Sequence, residues 1–190
     1  NFEKHKPKII FHCAGLSRPM DIHENDIAKS IDLNIIGTAN LVKICKLYKI
    51  KLIYLSTGYV YDGKKGNYKE TDAVKPFNNY GLSKLGGECA VSMYKNSLIL
   101  RVTMTEKPFT HATAFTNLKS NFMFHEDLVE ILPKVINEIG IINIGGKSQS
   151  IYDFAKKYNK SVKKTKISKN LKFPLNQTMK LSRLKKLLKW

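Results

Sequence analysis

The sequence predicts an α/β fold in which a mostly parallel sheet carries helices on both faces. Short apolar runs that suit buried strands alternate with segments whose apolar residues recur at helical spacing. No internal repeat is visible, and the two longest irregular stretches follow the second and third strand-like runs. Because ligands bind beyond the carboxyl ends of the strands in such sheets, these stretches mark the expected functional side.

The expected elements follow one another in a strand–helix rhythm. Strands are predicted at 8–14, 51–56, 97–102 and 141–144. Helices are predicted at 26–48, 80–94, 126–138, 150–158 and 182–189. In the first of these helices, apolar side chains recur near helical spacing at Ile27, Ile31, Ile35, Leu41, Val42 and Cys45. The segment 161–177 is basic and weakly patterned.

Composition limits the class of protein. The chain has 190 residues, 43% of them hydrophobic, which is enough for a packed core. No apolar run approaches the roughly 20 residues that cross a bilayer, and the first residues lack a signal-peptide core, so we expect a cytoplasmic protein without a membrane partner. The net charge is +18, but only three of the 33 basic residues are arginines. Since nucleic-acid surfaces favour arginine, we expect no nucleic-acid partner, although the charge could attract a diphosphate-bearing substrate.

Cysteines and histidines give no metal or disulfide pattern. Cys13, Cys45 and Cys89 are far apart and odd in number, so we expect small buried side chains and no disulfide framework. The five histidines form no pair at ligand spacing, and no metal site is expected.

A chemical pattern lies beyond the second strand. Ser56 and Thr57 end that strand, and Tyr80 and Lys84 form a Tyr-x-x-x-Lys at the start of the next helix. Positions i and i+4 share one helix face, so the ammonium is expected to lower the pKa of the phenol and make it a usable acid or base. Alone, the pattern is more typical of an exposed helix pair than of a catalytic site. The strand end and the Thr57 hydroxyl favour proton transfer to a carbonyl oxygen while a hydride reaches its carbon.

Several segments resemble extended short-chain dehydrogenases/reductases, most closely the dTDP-4-dehydrorhamnose reductase branch. The resemblance covers nearly the whole chain and keeps the same order. The segments are Phe11-His-Cys-Ala-Gly15, Asn34-Ile-Ile-Gly-Thr-Ala-Asn-Leu41, Leu55-Ser-Thr-Gly-Tyr-Val-Tyr-Asp-Gly63, Tyr80-Gly-Leu-Ser-Lys-Leu-Gly-Gly-Glu88, Leu98-Ile-Leu-Arg101, Phe122-Met-Phe-His-Glu-Asp127 and Pro174-Leu-Asn-Gln-Thr-Met-Lys-Leu-Ser182.

The resemblance implies an incomplete Rossmann-like doubly wound sheet and a set of site residues. It implies that residues 1–103 are the later part of the dinucleotide-binding domain and that residues 104–190 are a small substrate-binding part. The implied catalytic residues are Thr57, Tyr80 and Lys84. The implied cofactor, NADP or NAD, would contact Cys13, Ala14, Gly15, Tyr80 and Lys84, and a nucleotide sugar would contact Thr57, Tyr59 and Met104. Asn34 could serve either as a structural hydrogen-bonding residue or as support for the active site.

The chain also departs from the family pattern. The family opens with three strands and a phosphate-binding glycine loop, whereas this sequence begins where the fourth strand would be. We therefore expect a fragment of a longer chain, a homodimer, or a complementing N-terminal segment. The apolar edge at 8–14 would otherwise be exposed. Gly58 stands where the reductases usually have an aspartate, so the substrate contact could differ. Because Gly58 and Tyr59 lack the Asp-Glu pair with which the nucleotide-sugar dehydratases eliminate water, dehydration is not expected. Met104 replaces a frequent tryptophan, so the sugar could differ.

These features predict NAD(P)-dependent reduction of a 4-keto-6-deoxy nucleotide sugar. Two alternatives remain open from the sequence. The first is an epimerase of the same superfamily, which would oxidise and re-reduce one carbon. The second is a non-catalytic module that binds a sugar nucleotide.

Overall fold

The computed structural model describes residues 2–168, 170 and 173–189. Its α-helices are α1 (Phe2–His5), α2 (Ile22–Asn25), α3 (Ile27–Ile31), α4 (Gly37–Leu47), α5 (Asn79–Ser92), α6 (His125–Val135), α7 (Ile151–Tyr158) and α8 (Ser182–Leu188). A π-helical turn occupies Asp32–Ile36, and a 3-10 turn occupies Gly58–Val60. The strands are β1 (Ile9–His12), β2 (Lys51–Thr57), β3 (Ser97–Val102), β4 (Met104–Thr105), β5 (Thr113–Phe115), β6 (Lys119–Ser120), β7 (Met123–Phe124), β8 (Gly140–Ile144), β9 (Gln149–Ser150) and β10 (Lys163–Thr165).

The predicted α/β fold with a parallel sheet is confirmed. The main sheet has the strand order β1-β2-β3-β8, and β1 pairs in parallel with β2, with Ile9 opposite Lys51. Strand β3 has the predicted bounds, because its short apolar run is buried throughout. The sheet therefore directs the carboxyl ends of β1 and β2 towards the same edge, where the segments that follow them meet.

Strand β1 lies at one edge of the main sheet. Within the described residues, the strand order gives it a neighbour on one side only. The side chain of Phe11 is 42% exposed. The expected apolar edge is thus present in the structure.

The long helix predicted at 26–48 is not regular. Asp26 caps its first turn by accepting a hydrogen bond from the backbone N–H of Lys29 at 2.9 Å. The backbone N–H of Gly37 then bonds to the carbonyl of Asp32, five residues back, which widens the helix into a π turn. Such turns are frequent at functional sites, and this one carries the fully buried Asn34.

The chain divides into two compact units. The first comprises Asn1–Val60, Pro76–Arg101 and Asn137–Ile142, and the second comprises Tyr61–Lys75, Val102–Ile136 and Asn143–Trp190. In the first unit, helices α4 and α5 pack on the sheet around a buried cluster of Cys45, Ile50, Leu52, Tyr54, Val91 and Ile99. In the second, the buried cluster includes Phe109, Leu118, Phe124, Ile151, Phe154 and Val162. The functional division at residue 103 stays a prediction.

Two further sequence expectations concern cysteines and membranes. Cys45 is buried as expected, but Cys13 and Cys89 are exposed, so the prediction of three buried thiols is wrong for two of them. Cys13 is exposed because it follows β1 at the open edge where the chain leaves the sheet. None of the described helices is both long enough and apolar enough to cross a membrane.

Candidate active site

The helix that carries Tyr80 begins directly after a capping asparagine. Asn78 has an extended backbone, and its side chain accepts a hydrogen bond from the backbone N–H of Gly81 at 2.9 Å. Gly81 is required here because an added methyl group would collide with the carbonyl oxygen of Tyr59 and lie 2.9 Å from Pro76. The close approach brings the first turn of α5 against the end of β2.

The side chains of Thr57 and Tyr80 are neighbours where the first turn of α5 comes close to the end of β2. Hydrogen bonding by the Thr57 hydroxyl acts to lower the pKa of Tyr80, which places the two side chains next to each other. The Thr57 oxygen accepts the backbone N–H of Tyr59 at 3.3 Å. Thr57 is 7% exposed and Tyr80 is half-buried. The rings of Tyr59 and Tyr80 meet edge to face at 5.9 Å between centroids. The structure thus brings three of the predicted site residues together.

The prediction that Lys84 lowers the pKa of the Tyr80 phenol is wrong. Burial raises the pKa of Tyr80 above its usual range, and the hydrogen bond from Thr57 and the charge of Arg18 only partly oppose this. Burial dominates because a phenolate loses more hydration in this enclosed position than its neighbours return. Tyr80 is therefore a protonated phenol at neutral pH, which suits a proton donor.

Lys84 lies one helical turn beyond Tyr80 and is 7% exposed. Its Nζ atom stands 4.2 Å from the ring centroid of Tyr54, a cation–π contact. A methyl group added at Gly15 would lie 3.8 Å from the same nitrogen. Burial lowers the pKa of Lys84 to about 8, although the charges of Glu88 and Cys13 act in the opposite direction. The ammonium therefore faces the end of β1, where the cofactor contacts are predicted.

A buried ion pair supports the next turn of α5. Arg101 on β3 donates to Glu88 from Nε at 3.0 Å and from a terminal nitrogen at 2.7 Å. Glu88 also accepts the hydroxyl proton of Ser56 at 2.6 Å. The Arg101 and Glu88 side chains are 4% and 3% exposed. These bonds connect α5, β2 and β3 directly beneath Lys84.

Asn34 ties the segment after β1 to the same helix. Its side chain accepts the backbone N–H of Leu16 at 2.7 Å and donates to the Leu16 carbonyl at 2.9 Å. It also donates to the Ser83 hydroxyl at 2.8 Å. These three bonds satisfy the buried amide, which is the structural interpretation of Asn34. They also hold Gly15 and the first turns of α5 in a fixed relation.

The residues predicted to contact the cofactor follow β1. Cys13, Ala14 and Gly15 are all exposed. The preceding His12 is buried and bonds through Nε2 to the Thr38 hydroxyl at 2.9 Å. The exposed backbone here leaves room for a dinucleotide, and its contact with Cys13, Ala14 and Gly15 stays a prediction.

Met104 lies in β4 of the second unit and pairs in register with Met123; its contact with a substrate stays a prediction. Among residues 2–168, 170 and 173–189, no group of three potential metal ligands occurs.

Sequence reasoning missed the neighbours of Tyr80 that come from the segment after β1. The His23 ring lies 5.1 Å from the Tyr80 ring, and the Arg18 charge acts on Tyr80 and Tyr59. Nothing local in the sequence marks His23. Arg18 carries one signal, because arginine is rare in this lysine-rich chain.

Residues 1–116 match the family described as the RmlD substrate binding domain. The chain belongs to this family. The resemblance to dTDP-4-dehydrorhamnose reductases is therefore confirmed at the level of the family.

Curated relatives of this RmlD-family chain carry two different names. Methionine adenosyltransferase 2 subunit beta of Pongo abelii is 42% identical over 86 residues, covering 45% of this chain and 25% of the relative. A dTDP-4-dehydrorhamnose reductase of Aggregatibacter actinomycetemcomitans is 33% identical over 102 residues, covering 53% of this chain and 34% of the relative. The chain thus matches about a quarter to a third of the length of these relatives.

Solved structures agree with the RmlD-family fold. A hypothetical dTDP-4-dehydrorhamnose reductase from Sulfolobus tokodaii superposes with a TM-score of 0.84 at 26% identity, covering 97% of this chain and 75% of the other. A dTDP-4-dehydrorhamnose reductase from Bacillus anthracis, solved in complex with NADP, has a TM-score of 0.84 at 22% identity over the same shares. At that identity the second likeness shows the fold alone.

Proposed function

We propose that the chain forms the catalytic part of an NAD(P)-dependent reductase acting on a 4-keto-6-deoxy nucleotide sugar. The observation that carries this proposal is the placement of the Thr57 hydroxyl beside the protonated phenol of Tyr80, with Lys84 one helical turn away. Membership of the RmlD family supports the same reaction. A cytoplasmic location, expected from the sequence, belongs to the proposal.

In the proposed reaction, a hydride reaches the keto carbon and a proton reaches its oxygen. The dinucleotide, when bound, supplies the hydride. Tyr80 gives its phenolic proton to the oxygen, and burial keeps that proton in place until the oxygen becomes basic. Thr57 donates a hydrogen bond to the same oxygen and orients it. Lys84 would hold the nicotinamide ribose beside Gly15.

The test compares two tyrosine variants of the purified chain. Tyr80→Phe removes the proton donor and should reduce NADPH oxidation with the keto sugar about 10²–10⁴-fold. Tyr94→Phe is the matched control, because Tyr94 lies beyond the end of α5 and, among the described residues, its hydroxyl donates to the backbone carbonyls of Cys45 at 3.2 Å and Ile50 at 2.9 Å. Retained turnover in Tyr80→Phe would show that another group donates the proton. Product stereochemistry and cofactor retention separate the reductase from an epimerase, which would keep its cofactor bound.

A second candidate function has its own support. The relatives that reach 42% identity are named as a subunit of methionine adenosyltransferase 2. This name favours a non-catalytic role in which the chain binds a nucleotide ligand within a larger assembly. In that case Tyr80→Phe would leave ligand binding and assembly unchanged, and the parent chain would show no turnover with any keto sugar.

A further inference from the structure

A short helix beside Tyr80 carries a fully buried histidine. His23 lies on α2, and its exposed fraction is 0%. Its Nδ1 atom is bonded to the Ser30 hydroxyl at 2.7 Å, which anchors the imidazole to α3. Among the described residues, Nε2 is buried without a hydrogen-bond partner. A buried polar atom without a partner is destabilising, so a leucine or phenylalanine would serve simple packing better.

Helix α2 is attached to the first residue of α5. The Asn79 side chain donates to the Glu24 carboxylate at 2.6 Å and to the His23 carbonyl at 3.3 Å. The backbone N–H of Asn79 also donates to Glu24 at 3.1 Å. Glu24 thus places a negative charge at the positive end of α5, one residue before Tyr80. These bonds fix α2 against the turn that presents the phenol.

The imidazole itself contacts the phenol ring. The ring centroids of His23 and Tyr80 are 5.1 Å apart, and the ring planes are inclined by 57°. Tyr80 also meets Tyr59 at 86°. Aromatic pairs at such angles have a preferred geometry, so the two contacts restrict rotation of the Tyr80 ring.

We propose that His23 is a positioning residue, which holds the Tyr80 ring so that its hydroxyl meets Thr57 and is shielded from water. Ser30 fixes the imidazole, and Glu24 and Asn79 fix the helix on which it stands. Burial lowers the pKa of His23, so the imidazole is neutral and adds no positive charge to those of Arg18 and Lys84. The catalytic consequence rests on the proposed function, whereas the effect on Tyr80 does not.

The experiment measures the titration of Tyr80 by NMR of ¹³C-labelled tyrosine, with the signal assigned through Tyr80→Phe. In His23→Ala, water should reach the phenol, and the pKa of Tyr80 should fall back towards its usual range. In the double variant His23→Phe/Ser30→Ala, which keeps a ring and leaves no unpaired hydroxyl, the pKa should stay at the parent value. Asn25→Ala, an exposed change on the same helix, is the control.

Turnover supplies the second measurement. With the keto sugar and NADPH, His23→Ala should lower kcat about ten- to a hundred-fold with little change in KM, and the double variant should recover most of it. A lower melting temperature with unchanged titration of Tyr80 would overturn the proposal, since a purely structural residue would behave so. If His23→Ala fails to fold, Ser30→Ala decides, because releasing the imidazole should shift the same pKa downward and no shift would overturn the proposal. If the titration of Tyr80 shifts in His23→Ala but the parent chain shows no turnover, the positioning role of His23 is supported and the proposed reductase function is refuted.

Discussion

Replacing Arg101 by methionine tests how strongly the first unit depends on the buried ion pair beneath Lys84. The guanidinium contacts both carboxylate oxygens of Glu88, at 3.0 Å and 2.7 Å, and both side chains are at most 4% exposed. Methionine would leave the carboxylate buried with only the Ser56 hydroxyl as a strong partner. Loss of one partner from such a pair costs about 3–5 kcal/mol. We therefore expect Arg101→Met to lower the free energy of unfolding by about that amount.

The double variant Arg101→Met/Glu88→Leu provides the reference. With both charges removed, the cost should approach the about 1–3 kcal/mol of the Ser56 hydroxyl that has lost its acceptor. The two single changes should therefore be strongly non-additive. Urea unfolding followed by circular dichroism measures all three free energies, and the slopes with urea check that the same surface unfolds. A cost below about 1 kcal/mol for Arg101→Met, or additive costs in the cycle, would refute this account of the pair.

Three further outcomes are expected. Burial lowers the pKa of His12 from 6.5 to about 4. The contribution of neutral His12 to the free energy of unfolding should therefore be complete above pH 6.5 and fall by about 3 kcal/mol as the pH approaches 4. Thermal melts should show a weaker pH dependence in His12→Gln. Because the pKa of Lys84 is about 8, calorimetry should show that the affinity for NADPH declines above that pH in the parent chain but not in Lys84→Met. An equal decline in both proteins would contradict a contact between Lys84 and the ribose. Gly87→Ala should cost about 1–3 kcal/mol in urea unfolding, because the new methyl would meet the Tyr54 hydroxyl and lie 2.9 Å from the Asn34 carbonyl; an unchanged unfolding curve would show that α5 can move away.

The sequence predicted those parts of the fold that depend on local pattern. The strands Lys51–Thr57 and Ser97–Val102 are short apolar runs between polar segments, and both were placed within one residue. The pairing of Tyr80 with the end of β2 followed from the order of the elements. A parallel sheet brings consecutive strand ends to one edge, so the approximate site could be located before its contacts were known.

The rest depended on contacts between distant residues. The π turn carries Asn34, whose side chain bonds to Leu16 and Ser83, and these partners lie 18 and 49 positions away. The raised pKa of Tyr80 depends on how completely the folded chain excludes water, and an i,i+4 spacing carries no information about that. The contact between His23 and Tyr80 likewise joins two segments with no shared motif.

Only three arginines occur among the 33 basic side chains, and the ion pair gives one of them a role that lysine cannot fill. At position 101, a single ammonium could not present two parallel N–H groups to the Glu88 carboxylate. Arg101→Lys therefore keeps the charge yet discards the geometry. In a lysine-rich chain, a buried arginine therefore marks a position where the planar pair of N–H donors matters as much as the positive charge.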